Sequence, residues 1–385
     1  MGENVCLGLD VGGTSVKIGL FTVDGALLDK WEVPTRTQEN GKYILADVAD
    51  SIKARFAQSG RAMSDLVGCG IGVPGPVMPD GYVEVCVNLG WKDAYPAKEL
   101  SDLLDGVPVR CNNDANVAAL GELWQGGGKG YHDLVMATLG TGVGGGIILG
   151  DKIVSGCHGL GGEIGHFRVR RDETEYCNCG GQGCLEQYAS ATGIVREARR
   201  ALAADDRPSA LRGFEATQAV AGGPTVDGAS AGDGTLTVDG ASAVPAAQGG
   251  EGAAGGGTLT VGDASAVPTA QGGEGAAVSA APPLNGVLTA KDVLDAAKEG
   301  DALALEVMDD VGYYLGVAFA HLALTVDPEV IVIGGGVSKA GEFLIDIIDR
   351  HYRKSAAISE RKAKLRLATL GNDAGIYGAA RLILD

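Results

Sequence analysis

Two stretches of this chain share a pattern that few folds accommodate. In each, an apolar strand runs into a glycine turn and comes straight back as a second strand, and helices and strands alternate behind it. Leu7 to Val11 turns at Gly12-Gly13 into Ser15 to Val23, and Leu27 to Val33 follows Asp24-Gly25, which by hairpin logic is an antiparallel meander. A helix over about 41–58, a buried strand Val67 to Val73 and a strand Val107 to Cys111 come next, and a helix opens at Asn112-Asn113-Asp114. The pattern restarts at Leu134 to Leu139, turns about Gly140-Thr141-Gly142 and returns over Gly145 to Leu149. Helices then bracket strand Val330 to Ile333 and its Gly334-Gly335-Gly336 turn. This predicts an α/β protein of two lobes with a cleft between them, and 385 residues are ample for it. The apolar run Val311 to Val326, closed by Asp310 and Asp327, is too short for a membrane span and reads as a buried helix with His321 in the core; His158 reads as a surface histidine. The segment Thr289 to Gly300 reads as a solvated amphipathic helix.

Sixty-three glycines exceed what turns require, and the excess concentrates between Gly222 and Pro283. Those 62 residues hold 16 glycines and six acids but no Lys, Arg or aromatic residue, so they cannot build a core. Thr235 to Ala254 and Thr258 to Ala277 match at 17 of 20 positions, the mark of a tandem duplication. The insertion is expected to be a disordered, solvated excursion. A net charge of −18 repels phosphate backbones and anionic membranes, which argues against nucleic acid or membrane as partners. No export signal precedes Val5, so the eight cysteines are expected to be reduced thiols in a cytoplasmic protein.

Four groups of residues carry chemistry. Asp10-Val11-Gly12-Gly13-Thr14-Ser15-Val16-Lys17 puts bare glycine backbone, a hydroxyl, an acid and a lysine at one hairpin tip, an arrangement that can approach a phosphate. Leu139 to Gly146 supplies a second such turn; its glycine spacing matches a dinucleotide fingerprint, but a strand follows where that fingerprint needs a helix. Two glycine turns from two lobes suit a nucleoside triphosphate. Asp114, at the start of a helix, is either an N-cap or a general base that takes the proton of an attacking hydroxyl. His166, Cys177, Cys179 and Cys184 have the composition of a closed, structural zinc site, with Gly180, Gly181 and Gly183 allowing the chain to bend around the ion. Glu163 and Glu186 flank it and are natural acceptors for a polyol. Gly72-Val73-Pro74-Gly75-Pro76 is a rigid exit from a strand.

Leu9 to Thr14, Asn113-Asp114-Ala115-Asn116, Gly162 to His166 and Cys177 to Glu186 together resemble the ROK family of sugar kinases and sugar-responsive repressors, and among its members the bacterial ATP-dependent glucokinases. Asn88-Leu89-Gly90-Trp91 and Gly371 to Gly375 extend the resemblance over everything outside 222–283. It implies an actin/hexokinase-like (ribonuclease H-like) fold: a smaller lobe over 1–116 joined by the helix 374–385, and a larger lobe over 117–373 with its zinc knuckle at 166–184. It implies phosphorylation of a hexose 6-hydroxyl, glucose first, with Asp114 as base and Gly75, Asn88, Asn113, Glu163, His166 and Glu186 around the sugar. Asp10 would help hold Mg²⁺. Gly12, Gly13, Thr14 and Lys17 would meet the terminal phosphates of ATP, and Thr141, Gly142, Gly334, Gly335 and Gly336 the rest of it. Homodimers or homotetramers are implied as well. Fructose, N-acetylmannosamine or allose as acceptor, and polyphosphate as donor, stay open. A non-catalytic sugar-responsive regulator is the reading from another class; it is disfavoured because only nine residues precede Asp10, where repressors of the family carry a DNA-binding domain.

Overall fold

The computed structural model describes residues 3–214 and 287–384; the insertion over 222–283 and its two repeats lie outside the described residues. The first hairpin forms as its sequence demands. Strand β1 (Val5–Val11) pairs antiparallel with β2 (Ser15–Thr22), and β2 with β3 (Leu27–Pro34). Helix α1 (Ile44–Ser59) starts later than its apolar pattern suggests, because Glu39, Asn40 and Gly41 are all left-handed, and it stops at Gly60, whose own left-handed conformation caps it. Then come β4 (Leu66–Val73), the ribbon β5 (Val83–Cys86) with β6 (Trp91–Ala94), α2 (Pro96–Leu103) and β7 (Val109–Asn113). The chain crosses into α3 (Asp114–Gln125) and forms β8 (Leu134–Leu139), β9 (Val143–Leu149) and β10 (Lys152–Ile153). After a long glycine-rich loop come α4 (Glu186–Ala189), α5 (Ala191–Ala204), α6 (Ala290–Lys298), α7 (Ala302–Val326), β11 (Val330–Gly334), α8 (Glu342–Ser355), β12 (Lys364–Leu367) and α9 (Ala374–Leu382).

Among the described residues, two five-stranded sheets share one topology: β3-β2-β1-β4-β7 and β10-β9-β8-β11-β12. Each opens with an antiparallel hairpin and closes with two parallel strands, so the repeated sequence pattern is a repeated fold. Each sheet has its own core, one built from β1, β2, β4 and α1, the other from β8, β11 and helices α5 to α8. The two halves meet where α9, lying on the first sheet, crosses α3, lying on the second. That crossing is close because it is made through glycine: a Cβ on Gly378 would stand 1.6 Å from the Val117 carbonyl oxygen, and one on Gly121 2.2 Å from that of Ala374.

Two expectations need correction. His321 is exposed, on the outer face of α7. Thr289 to Gly300 is more than a solvated helix: Thr289 and Asp292 form a capping box, and Val293, Leu294, Ala296 and Ala297 are buried. Among the described residues no helix is long and apolar enough to cross a membrane.

Candidate active site

The end of β7 decides what Asp114 can do. Asn113, and not Asp114, is the N-cap of α3: its side-chain oxygen accepts from the N–H groups of Ala115 at 2.9 Å and Asn116 at 3.1 Å. Its amide nitrogen donates to the Gly75 carbonyl at 3.1 Å and to Asp114 Oδ1 at 3.0 Å. With capping assigned to its neighbour, Asp114 needs only one oxygen for local bonds, and the N–H of Ala115 reaches that same Oδ1 at 2.8 Å. Burial pushes its carboxyl up to about 6, and the negative charges of Asp10 and Glu163 add to the effect against the two hydrogen bonds. Asp10 is likewise raised by burial, with Lys17, its partner across the hairpin, pulling the other way.

A cavity of about 540 Å³ joins these groups, bringing Asp10, Lys17 and Asp114 together with Gly334, Gly335 and Gly336. Gly335 is left-handed, and a Cβ there would stand 2.5 Å from the Leu139 carbonyl oxygen, so the glycine turn packs directly on the end of β8. Ser338, Lys339, Thr369 and Asn372 also line this cavity; sequence reasoning gave them no role, although Ser338 and Lys339 directly follow the glycine turn. A neighbouring cavity of about 400 Å³ shares Gly336 and Lys339 and is walled by Leu294 and Val337, so α6 faces a cavity. Gly12, Gly13, Thr14, Thr141 and Gly142 do not line the larger cavity. Gly13 lies beside Asn88, and Gly142 beside Glu186, where a Cβ would stand 2.5 Å from a carboxylate oxygen.

The charge that Glu163 exerts on Asp114 comes from the glycine-rich loop. His166 Nε2 is 3.9 Å from Glu163, while its Nδ1 faces Cys177 Sγ at 3.8 Å. Cys179 and Cys184 Sγ are 3.6 Å apart, and the four ligand atoms of His166, Cys177, Cys179 and Cys184 all lie within 4.8 Å of one another. Tetrahedral zinc with bonds near 2.3 Å sets its ligands roughly 3.7 Å apart, so the set fits a zinc ion. The ion would contribute to folding and would orient the imidazole, its Nδ1 taken by metal and its Nε2 free toward Glu163. Glu186 adjoins this cluster, its carboxylate 3.2 Å from Cys177 Sγ and accepting from the N–H of Val143 at 3.3 Å. Glu173 anchors the loop: it is buried, accepts from Tyr188 at 2.7 Å and Arg200 at 2.9 Å, and is held well below the usual carboxylate range, chiefly by Arg200.

Paired hairpin-led sheets with an acid-lined, glycine-floored cavity at their junction define an actin/hexokinase-like kinase fold. Comparison with known proteins narrows the class. The ROK family pattern matches residues 6–222 and 275–385, and the chain belongs to the ROK family. It is 37% identical to a glucokinase of Halalkalibacterium halodurans over 100% of this chain and 96% of that protein, and 31% identical to a glucokinase of Streptomyces coelicolor over 98% and 96%. Among solved structures it resembles a ROK family glucokinase from Streptomyces griseus in complex with glucose and AMPPNP. That pair has 29% identity and a TM-score of 0.62, with 98% of this chain and 99% of the other covered.

Proposed function

We propose that this protein transfers the terminal phosphoryl group of ATP to the 6-hydroxyl of glucose. The observation that carries the reading is Asp114: a carboxylate released from capping, raised to about 6 and facing a cavity floored by glycine backbone. Asp114 accepts the hydroxyl proton as the sugar oxygen bonds to the γ-phosphorus, the bond from that phosphorus to the β,γ-bridging oxygen breaks, and ADP leaves with the electron pair. Asn113, Glu163, His166 and Glu186 hold the other hydroxyls, with Gly75 and Asn88 closing the small-lobe side. Gly12, Gly13, Thr14 and Lys17 approach the terminal phosphates, and Thr141, Gly142, Gly334, Gly335 and Gly336 line the remainder of the nucleotide. Asp10 would hold the Mg²⁺ that arrives with the nucleotide, and that ion would neutralise phosphate charge. Glucose as acceptor is supported by the full-length likeness to glucokinases. A coupled ADP-release assay over glucose, fructose, N-acetylmannosamine and allose, each with ATP or polyphosphate, tests the assignment. The highest kcat/KM is expected for glucose with ATP; another sugar or donor ahead by tenfold would reassign it.

A further inference from the structure

Glu122 in α3 is fully buried, and nothing in the proposed chemistry uses it. Three peptide N–H groups hold its carboxylate: Oε2 accepts from Gly127 at 2.7 Å and Thr369 at 3.0 Å, and Oε1 from Leu370 at 2.9 Å. The turn after α3 closes around it only as glycine, since a Cβ on Gly126 would stand 2.0 Å from Glu122 Oε2 and one on Gly127 2.3 Å from the Leu367 carbonyl oxygen. A buried carboxylate met by three donors is strongly anchored, because losing any donor leaves charge uncompensated.

What it anchors is the chain's second crossing between the sheets, from β12 to α9. Leu370 is tied by Glu122 to α3, the helix that begins with Asp114. Two residues later, the Asn372 carbonyl accepts from Lys17 of β2 at 3.3 Å, which ties it to the other sheet. Gly371 stands between these two attachments, left-handed at φ 56°, with nothing within 4 Å of where its Cβ would be. Thr369, Gly371 and Asn372 line the 540 Å³ cavity.

We propose that Glu122 is a positioning residue: by clamping residues 369 and 370 to α3 it fixes one wall of the nucleotide cavity relative to Asp114 and makes Gly371 the point where the crossing bends. The inference rests on the reading of that cavity as the nucleotide site. Glu122→Gln preserves shape but turns an NH₂ group toward peptide donors. The variant is expected to raise the KM for MgATP at least tenfold while glucose affinity, measured without nucleotide by calorimetry, stays within twofold. Amide exchange on the unmodified enzyme provides a second reading that does not depend on the variant folding. The amides of Gly127, Thr369 and Leu370 should be slow, that of Gly371 fast, and AMPPNP with glucose should slow Gly371 and Asn372. An unchanged KM for MgATP in the folded variant, a parallel loss of both affinities, or amides at 369 and 370 as fast as at 371 would overturn the proposal. If the unmodified enzyme phosphorylates no hexose, the functional assignment fails, and the exchange pattern of the free protein still tests the clamp.

Discussion

At the scale of single residues, the division of labour between Asn113 and Asp114 is the decisive feature. The sequence left Asp114 as either cap or base, and backbone geometry gives the cap to Asn113. Asp114→Asn retains the shape and an oxygen for the Ala115 N–H but has no proton acceptor, so kcat should fall by about 10²–10⁴ while the glucose Kd changes little. Near-normal turnover would reduce Asp114 to a structural role. The same substitution should stabilise the fold. The folded carboxyl sits at about 6 against an ordinary 3.8, so the folded state binds this proton more tightly than the unfolded state does. Its ionisation therefore costs nothing below pH 3.8 and costs fully above about 6. Removing the charge should gain at most about 3 kcal/mol at neutral pH and nothing near pH 3.5, as read by denaturant unfolding at both values. A companion expectation is kinetic: kcat/KM for glucose should rise about tenfold per pH unit up to roughly pH 6 and then level off, because the base works only when ionised. Constant kcat/KM from pH 5 to 8 would contradict it.

At the scale of elements, the loop from Gly156 to Leu185 has little regular structure, and its shape depends on two anchors. One is the buried Glu173 with Arg196, Arg200 and Tyr188; the other is the His166, Cys177, Cys179 and Cys184 cluster. Glu163 and Glu186 project from the same loop region, so their placement depends on both. Cys179→Ser should therefore abolish stoichiometric zinc, measured by mass spectrometry of the metal, and raise the KM for glucose at least tenfold. A zinc-free enzyme with an unaltered glucose KM would show that the cluster does not position the acids. The cluster was legible in the sequence because cysteine spacing and glycine punctuation are local. The Glu173 anchor was not, since its arginine partners, Arg196 and Arg200, lie on α5, 23 and 27 residues further along.

At the scale of the whole molecule, the insertion poses the main test. The ROK pattern resumes at residue 275 after ending at 222, and the intervening sequence lacks aromatic and basic residues that could serve a sugar or a phosphate. Deleting Gly222 to Pro283 with a short linker should leave kcat and both KM values within twofold and shift stability by about 1–2 kcal/mol at most, because loop-closure entropy grows only logarithmically with length. A tenfold rise in the glucose KM would make the segment part of the enzyme. By itself the sequence determined the repeated hairpin-led α/β pattern and the His166, Cys177, Cys179 and Cys184 cluster, and it singled out Asp10, Asp114 and Gly334 to Gly336, which line one cavity, because strand alternation, turn chemistry and ligand spacing are properties of neighbouring residues. Tertiary structure alone decided that Asn113 and not Asp114 is the cap, that His321 faces outward and that α6 faces a cavity. It also decided that Glu122 holds a loop nearly 250 positions further along the chain. The cap follows from the local backbone at the end of β7, whereas the other three share a long-range cause. Which face of a helix is buried, and which donors reach a carboxylate, depend on elements that are distant in sequence and meet only in the folded chain.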